Sequence, residues 1–456
     1  MKKRLSTKQR RDLRAIVMDG GFFSGMVGTG ESYIPAFALA VGLGDVVSGL
    51  IATVPMLAGA LLQLATPFAV ARLGSYRRWV VGCACLQAAS FVPLVVGGLR
   101  GDLSLGWVVA ATVGYWGFGM ATGPAWNAWI TSLVPEAVRA RFFAHRTRVA
   151  QGSLVAALLG AGLLLELGRR LEHELLFFAL IFAAALVLRL LSASQLHRQS
   201  EEDGLAARHA AITPARAAPA FAKRGTRRML AYLIAMMAAT NIAAPFFTPY
   251  MLGPLGLSYG RFMTLTAVAF VARLLVLPYL GRLVERRGPR FALTLGAVAI
   301  VPIPPLWLVS DHFVYLIGVQ MLAGFAWAAV ELSTLLAIFE SVEDAARTRV
   351  LSIFNLLNAA AIAGGALLGS WVFLRLEADL PAYGALFVIS SIARLLVLPL
   401  LWGMRSERPL HAEEFHMRTV AVRPSAGAVQ RPILPTLEHT EPEEEPREPG
   451  EGPRDA

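Results

Sequence analysis

Residues 281–290 read GRLVERRGPR, in which Arg282, Arg286, Arg287 and Arg290 surround Glu285 between two apolar runs. A weaker copy, PFAVARLGSYRR, occupies residues 67–78. So basic a stretch fits so hydrophobic a chain if the flanking runs lie in lipid, because Lys and Arg hold short connecting loops on the cytoplasmic face. Composition agrees. The chain has 456 residues, 56% hydrophobic and 16% charged, where an ordinary soluble domain is about 45–50% apolar and about 25% charged. About 20 apolar residues cross a bilayer as a helix, and only helices and closed barrels satisfy their backbone in lipid. Uninterrupted apolar runs favour helices over the alternating pattern of barrel strands. The expected fold is therefore all-α and polytopic.

Working outward from the two loops, twelve candidate spans fall at residues 15–40, 45–70, 78–99, 105–133, 147–168, 175–196, 229–252, 259–281, 290–310, 312–340, 348–375 and 380–403. They divide the chain into a basic N-terminus (1–14), a six-helix bundle (15–196), a basic linker (197–228), a second six-helix bundle (229–403) and a Pro- and Glu-rich tail (404–456). The tail ends TEPEEEPREPGEGPRDA, with too little apolar surface to fold alone, and reads as disordered. With the N-terminus inside, the outer loops hold only Arg100, Arg169, Arg170, Arg261 and Arg375, and the other loop Lys and Arg lie on the inner side. Both termini are thus expected in the cytoplasm and the chain in the cell (inner) membrane. The N-terminal MKKRLSTKQRRDLR and the Ala38-Leu39-Ala40 triplet imitate a signal peptide. The apolar stretch is too long for one and is broken by Asp19 and Glu31, so it reads as a retained helix.

The net charge of +11 sits in short loops, which argues against nucleic acid as a partner. Cys83 and Cys85 are two apart and point to different sides of a helix, so they form neither a disulfide nor a metal site. No phosphate-binding G-x-x-x-x-G-K-[ST], no H-E-x-x-H and no cysteine–histidine cluster is present. No nucleophile–base pair stands out, and neither enzyme chemistry nor a cofactor is expected.

The chain repeats itself. Pro35 falls on Pro249 and Gly74 on Gly288, an offset of 214, while Arg139 and Arg141 fall on Arg347 and Arg349 at 208 and Arg189 on Arg394 at 205. Landmarks in the same order with small drifts indicate two pseudo-symmetric six-helix halves. The pattern Gly281-x-x-x-Glu285-Arg286-x-Gly288-x-Arg290 resembles the loop signature of the major facilitator superfamily, which recurs between helices 2 and 3 and between helices 8 and 9. The first copy departs from it: Pro67 replaces the glycine and Ala71 the acid, leaving Arg72, Gly74, Arg77 and Arg78. The resemblance implies cytoplasmic gate loops at Arg72, Gly74 and Arg77 and at Gly281, Glu285, Arg286, Gly288 and Arg290. In the superfamily they latch the bundle between inner- and outer-facing states. It also implies a secondary transporter, expected to act as a monomer, whose partners are a small solute, lipid and, for coupling, protons. With its acid missing, a first-half latch needs another partner.

Ionisable groups inside spans cost at least about 2.5–3.5 kcal/mol on insertion scales and are the first candidates for function. Glu31 follows glycines 20, 21, 25, 28 and 30 in the first span and is a candidate for proton coupling or substrate contact, for a fixed pair with a base, or for an interfacial position. Asp19 reads as a helix-start or gate residue. Glu331 lies inside span 10 and Arg273 inside span 8. Arg273 stays charged and needs an anion, whether Glu31, Glu331 or a substrate carboxylate or phosphate. Asn127 beside Trp126 in span 4, and Asn241 in span 7, are candidates for polar contact and stacking with a solute, or for hydrogen bonds between helices. Arg189 and Arg394, toward the inner ends of spans 6 and 12, read as snorkelling to the headgroups. Span 5 lacks the glycine–proline signature of the superfamily's drug exporters. An exporter of drugs or metabolites stands as the second reading, and a sensor or assembly partner that has lost transport as the third.

Overall fold

The computed structural model describes residues 6–201, 204, 224–341, 344–376 and 380–401. The tail expected to be disordered and most of the linker lie outside the described residues. Among those described, twelve helical crossings follow one another and no strand occurs. They are α1 (Thr7–Thr29, continuing through Glu31–Tyr33 and Ile34–Ala40), α2 (Gly44–Ile51, Val54–Leu64 and Thr66–Leu73), α3 (Tyr76–Ala89 and Val92–Arg100), α4 (Leu105–Leu133), α5 (Glu136–Arg170) and α6 (Glu174–Arg198) in the first half. The second half holds α7 (Arg224–Asn241, Ala244–Phe246 and Phe247–Leu252), α8 (Tyr259–Arg287), α9 (Pro289–Ile300 and Ile303–Leu306), α10 (Phe313–Ser341), α11 (Asp344–Arg375) and α12 (Leu380–Val397, then Leu398–Leu401).

Nine of the crossings are long and apolar enough to span a membrane on length and composition alone. The others are α1, which carries Asp19 and Glu31; α4, diluted by glycine and tryptophan; and α9, whose apolar helix stops at Ile300. Two helices begin about two turns or more before their expected starts. Ser6 caps α1 through a reciprocal capping box with Gln9, so the helix begins at Thr7 and not near residue 15. Likewise α5 begins at Glu136 and not near 147, so Arg146 lies within it.

Proline explains which crossings are segmented. A proline inside a helix deletes one backbone donor and clashes with the preceding turn, but fits the first turn of a new segment. Pro35, Pro55, Pro67, Pro93 and Pro304 each stand in that first turn where α1, α2, α3 and α9 restart. By contrast α4 and α8 run on through Pro124 and Pro278.

Packing follows the sequence repeat. In the first half α1 packs on α5 and α6, α2 on α4, and α3 on α4; in the second, α7 packs on α11 and α12, α8 on α10, and α9 on α10. Without a hydrophobic drive between helices in lipid, close approach of small residues supplies the contact. A Cβ on Gly28 of α1 would meet the Leu154 carbonyl oxygen of α5 at 2.6 Å, and one on Gly365 of α11 would collide with that of Ala238 in α7. The halves meet where α5 packs on α8 and α2 on α11, an exchange of the same two positions.

Candidate functional site

A cavity of about 260 Å³ opens between the halves. Ser32, Pro35 and Ala52 form its first-half wall, and α7, α8, α10 and α12 supply most of the rest, including Asn241, Arg273, Gln320, Trp327 and Arg394. That volume is just under the roughly 300–1,000 Å³ of pockets for drug-sized ligands, so the space suits a smaller solute.

The break in α1 places Glu31. The α-helix ends at Thr29, a 3₁₀ turn carries Glu31–Tyr33, and Pro35 starts the next segment. Glu31 is buried, and the Tyr115 hydroxyl of α4 donates to its Oε2 at 2.6 Å. Its neighbour Ser32, which donates to the Val27 carbonyl at 3.3 Å, forms part of the cavity wall. Arg273 of α8 also lines the cavity, and behind it Nη1 donates to Glu331 Oε1 of α10 at 3.1 Å, both side chains being buried. The anion that Arg273 requires is therefore Glu331. Asn241 lies on the wall with Nδ2 donating back to the Met237 carbonyl at 2.8 Å.

Other candidates lie away from this space. Asp19 is not at a helix start. It sits roughly three turns into α1, where it pairs with Arg146 Nη2 of α5 at 3.6 Å and accepts from Ser192 Oγ of α6 at 2.7 Å. Arg189 Nη1 donates to the same Ser192 Oγ at 2.7 Å, and its guanidinium lies 5.0 Å from the Phe23 ring centre. Trp126 is buried beneath Arg146, 4.6 Å from its guanidinium carbon, and so stacks on a protein cation rather than facing the cavity. Asn127, on the same helix, is half-buried and outside the cavity wall. Asp19–Arg146 and Arg273–Glu331 thus form two separate buried pairs, and of the charged residues singled out as site candidates Arg273 is the one that reaches the cavity.

Snorkelling is overturned for both arginines so read. Arg189 is 2% and Arg394 3% exposed. Arg146, counted in sequence as a loop charge, is likewise buried. A hydropathy pattern gives the depth of a residue but not the direction in which its helix turns it, and these three turn inward. The signal available was the spacing of Arg189 and Ser192, which share a helix face.

Among the described residues no group of three or more His, Cys, Asp or Glu is placed to hold a metal ion, and Cys83 and Cys85 are both free thiols.

The family model of the Major Facilitator Superfamily matches residues 228–438. The nucleoside transporter NupG, as its D323A mutant, superposes with a TM-score of 0.67 at 12% identity, covering 87% of this chain and 100% of its own. A bacterial homologue of the human lysosomal transporter Spinster, in its inward-facing and occupied conformation, gives 0.65 at 16% identity over 88% of this chain and 97% of its own. This is the major facilitator superfamily fold. No curated protein matches by sequence. The family model covers the second half of the chain, and the two solved structures that share the fold are transporters.

The superfamily's loop signature now has a geometry. Gly74 takes a left-handed φ of +63° to end α2, and Gly288 takes +80° between α8 and α9. These are conformations that a side chain strains. Arg72 and Arg286 are exposed, Arg77 is half-buried, Gly281 is buried and Arg290 is half-buried at the start of α9; the Glu285 side chain lies outside what the structure describes. An acid from farther along the chain meets the first copy of this loop. Glu201, just beyond α6, accepts from Ser75 Oγ at 2.5 Å, from the Tyr76 backbone at 2.6 Å and from the Arg77 backbone at 3.3 Å. It caps the start of α3, where a carboxylate satisfies free amide groups and the helix dipole. Sequence reasoning passed over Glu201 because it stands far along the chain, in the linker.

Proposed function

We propose that the protein is a secondary active transporter that moves a small polar or amphipathic solute across the inner membrane by alternating access of its two halves, with both termini cytoplasmic. The observation that supports this most is the cavity between the halves, lined from both, with a broken helix on each side of it: α1 at Glu31–Tyr33 and α7 at Ala244–Phe246. Such discontinuous helices near the midplane are where repeat-built transporters bind their cargo. Tyr259 donates to Glu174 and Tyr383 to Asp45 across the halves at the end of the bundle away from the termini, which supports closure of that end in this reading.

Glu31 is the coupling residue in this reading. As a carboxylate it accepts from Tyr115; once protonated it also carries an O–H that can donate, so the pair can exchange donor and acceptor roles. That exchange happens one residue from Ser32 on the cavity wall, at a 3₁₀ turn able to change its winding.

The test is uptake of a solute panel into proteoliposomes under an imposed pH gradient. Gradient-driven accumulation is expected with the wild type and is expected to be lost in Glu31→Gln, while exchange without a gradient persists. Equal accumulation by the two proteins would remove Glu31 from coupling, and no transport of any solute would remove the carrier reading.

A further inference from the structure

Arg394 holds its charge almost alone. Its Nη1 donates to the Ile300 carbonyl at 2.8 Å and its Nε has no hydrogen-bond partner. No carboxylate among the described residues pairs with it. Arginine keeps its proton under burial, and a buried charge without a counterion is costly.

The internal repeat shows how this arose in physical terms. Its mate Arg189 is tied through Ser192 to Asp19, which is also paired with Arg146. At the same offsets that align Arg189 with Arg394, Pro35 with Pro249 and Arg139 with Arg347, the second half has Val397 for Ser192, Leu233 for Asp19 and Phe354 for Arg146. The arginine remains and the acid that answers it does not.

What Arg394 faces is the cavity. Arg273 is on the same wall, but its charge is met by Glu331, so among the described residues the space holds one uncompensated positive charge. Thr240 also lines it, with a buried hydroxyl that has no partner, and Trp307 and Trp327 supply apolar surface.

We propose that Arg394 binds the anionic head of the solute, and that the solute is an organic monoanion with an apolar or aromatic body. The assignment rests on the cavity being the solute site. The single unanswered charge sets the valence, Thr240 offers a second polar contact to the head, and the tryptophans receive the body. The same chemistry fits a lipid headgroup, and the proposal commits to a free carboxylate.

Matched acids and amides decide it: phenylacetate with phenylacetamide, indole-3-acetate with indole-3-acetamide, and hexanoate with hexanamide. Binding is read from tryptophan fluorescence and from thermal stability of the purified full chain in a neutral detergent. At least one acid is expected to bind about tenfold or more tightly than its amide. Arg394→Gln is expected to erase that preference, and Arg394→Lys to keep part of it. Because the buried charge is costly, Arg394→Gln without ligand is expected to be at least as thermostable as the wild type, which separates lost binding from lost folding. Acid and amide binding equally, or a preference that survives Arg394→Gln, overturns the anion assignment and leaves the cavity as the solute site. Binding of neither overturns the site itself. Loss of the acid's binding in nanodiscs containing phosphatidylglycerol, but not in pure phosphatidylcholine, gives Arg394 to lipid and also overturns the assignment.

Discussion

Tyr383 of α12 donates a 2.7 Å hydrogen bond to Asp45 at the start of α2, joining the two halves at the end of the bundle away from the termini. Its counterpart is Tyr259 of α8, which donates at 2.5 Å to Glu174 at the start of α6. The first half supplies both carboxylates and the second half both tyrosines, at positions that the repeat exchanges. A rocking motion that opens this end must break both. Each such bond contributes about 1 kcal/mol net, so losing both shifts the equilibrium by roughly 30-fold toward the open end. The double variant Tyr259→Phe, Tyr383→Phe is therefore expected to expose the cavity from the outer side. Ser32→Cys, in a Cys85→Ser background, reads this out with an impermeant maleimide. Faster outside labelling in the double variant is the expected result, and unchanged labelling would mean that these bonds do not hold the end shut.

Asp19 answers two arginines at once, Arg146 directly and Arg189 through Ser192. Removing it strands buried charge, at a cost of about 3–5 kcal/mol. The second half already shows an apolar alternative, Leu233 and Phe354. Asp19→Leu alone is expected to lower thermal stability sharply, and Asp19→Leu with Arg146→Phe to recover much of it. Additive losses in the pair would mean that the two groups act independently.

At the start of α3 the three bonds to Glu201 make a local prediction. Losing a cap costs about 1 kcal/mol, concentrated where the amides become free. Glu201→Ala is expected to speed hydrogen exchange at Tyr76 and Arg77 by roughly fivefold or more, with little change in α4. Uniform change along the half would make Glu201 a global stabiliser instead.

The sequence made depth legible and direction illegible. Apolar runs, loop arginines and matched landmarks such as Pro35 and Pro249 sufficed for twelve crossings in two halves, because burial in lipid imposes length and composition on every span. Glu331 and Arg273 were visible as costly charges for the same reason. Which charges meet depends on helix rotation, on proline-broken segments and on partners far along the chain. Hence Arg394 read as a headgroup contact, Arg146 as a loop charge and Trp126 as a solute platform. Glu201 had no local signal, since its three partners belong to a loop more than a hundred residues earlier.

Among the described residues Arg273 and Glu331 form the one buried ion pair with a member on the cavity wall, and their role separates stability from transport. Breaking a buried pair from one side costs about 3–5 kcal/mol, whereas replacing both members by apolar residues of similar size is often neutral or stabilising. Glu331→Leu alone is expected to unfold the protein at markedly lower temperature, because Arg273 is left charged and unanswered. Arg273→Met with Glu331→Leu is expected to restore the melting temperature to near that of the wild type. If the pair only packs α8 against α10, transport returns with stability. If Arg273 contacts the solute or must release Glu331 during the cycle, the double variant is stable and inactive. Thermal unfolding measured beside proteoliposome uptake therefore distinguishes the two roles, and the position of Arg273 on the cavity wall favours the second.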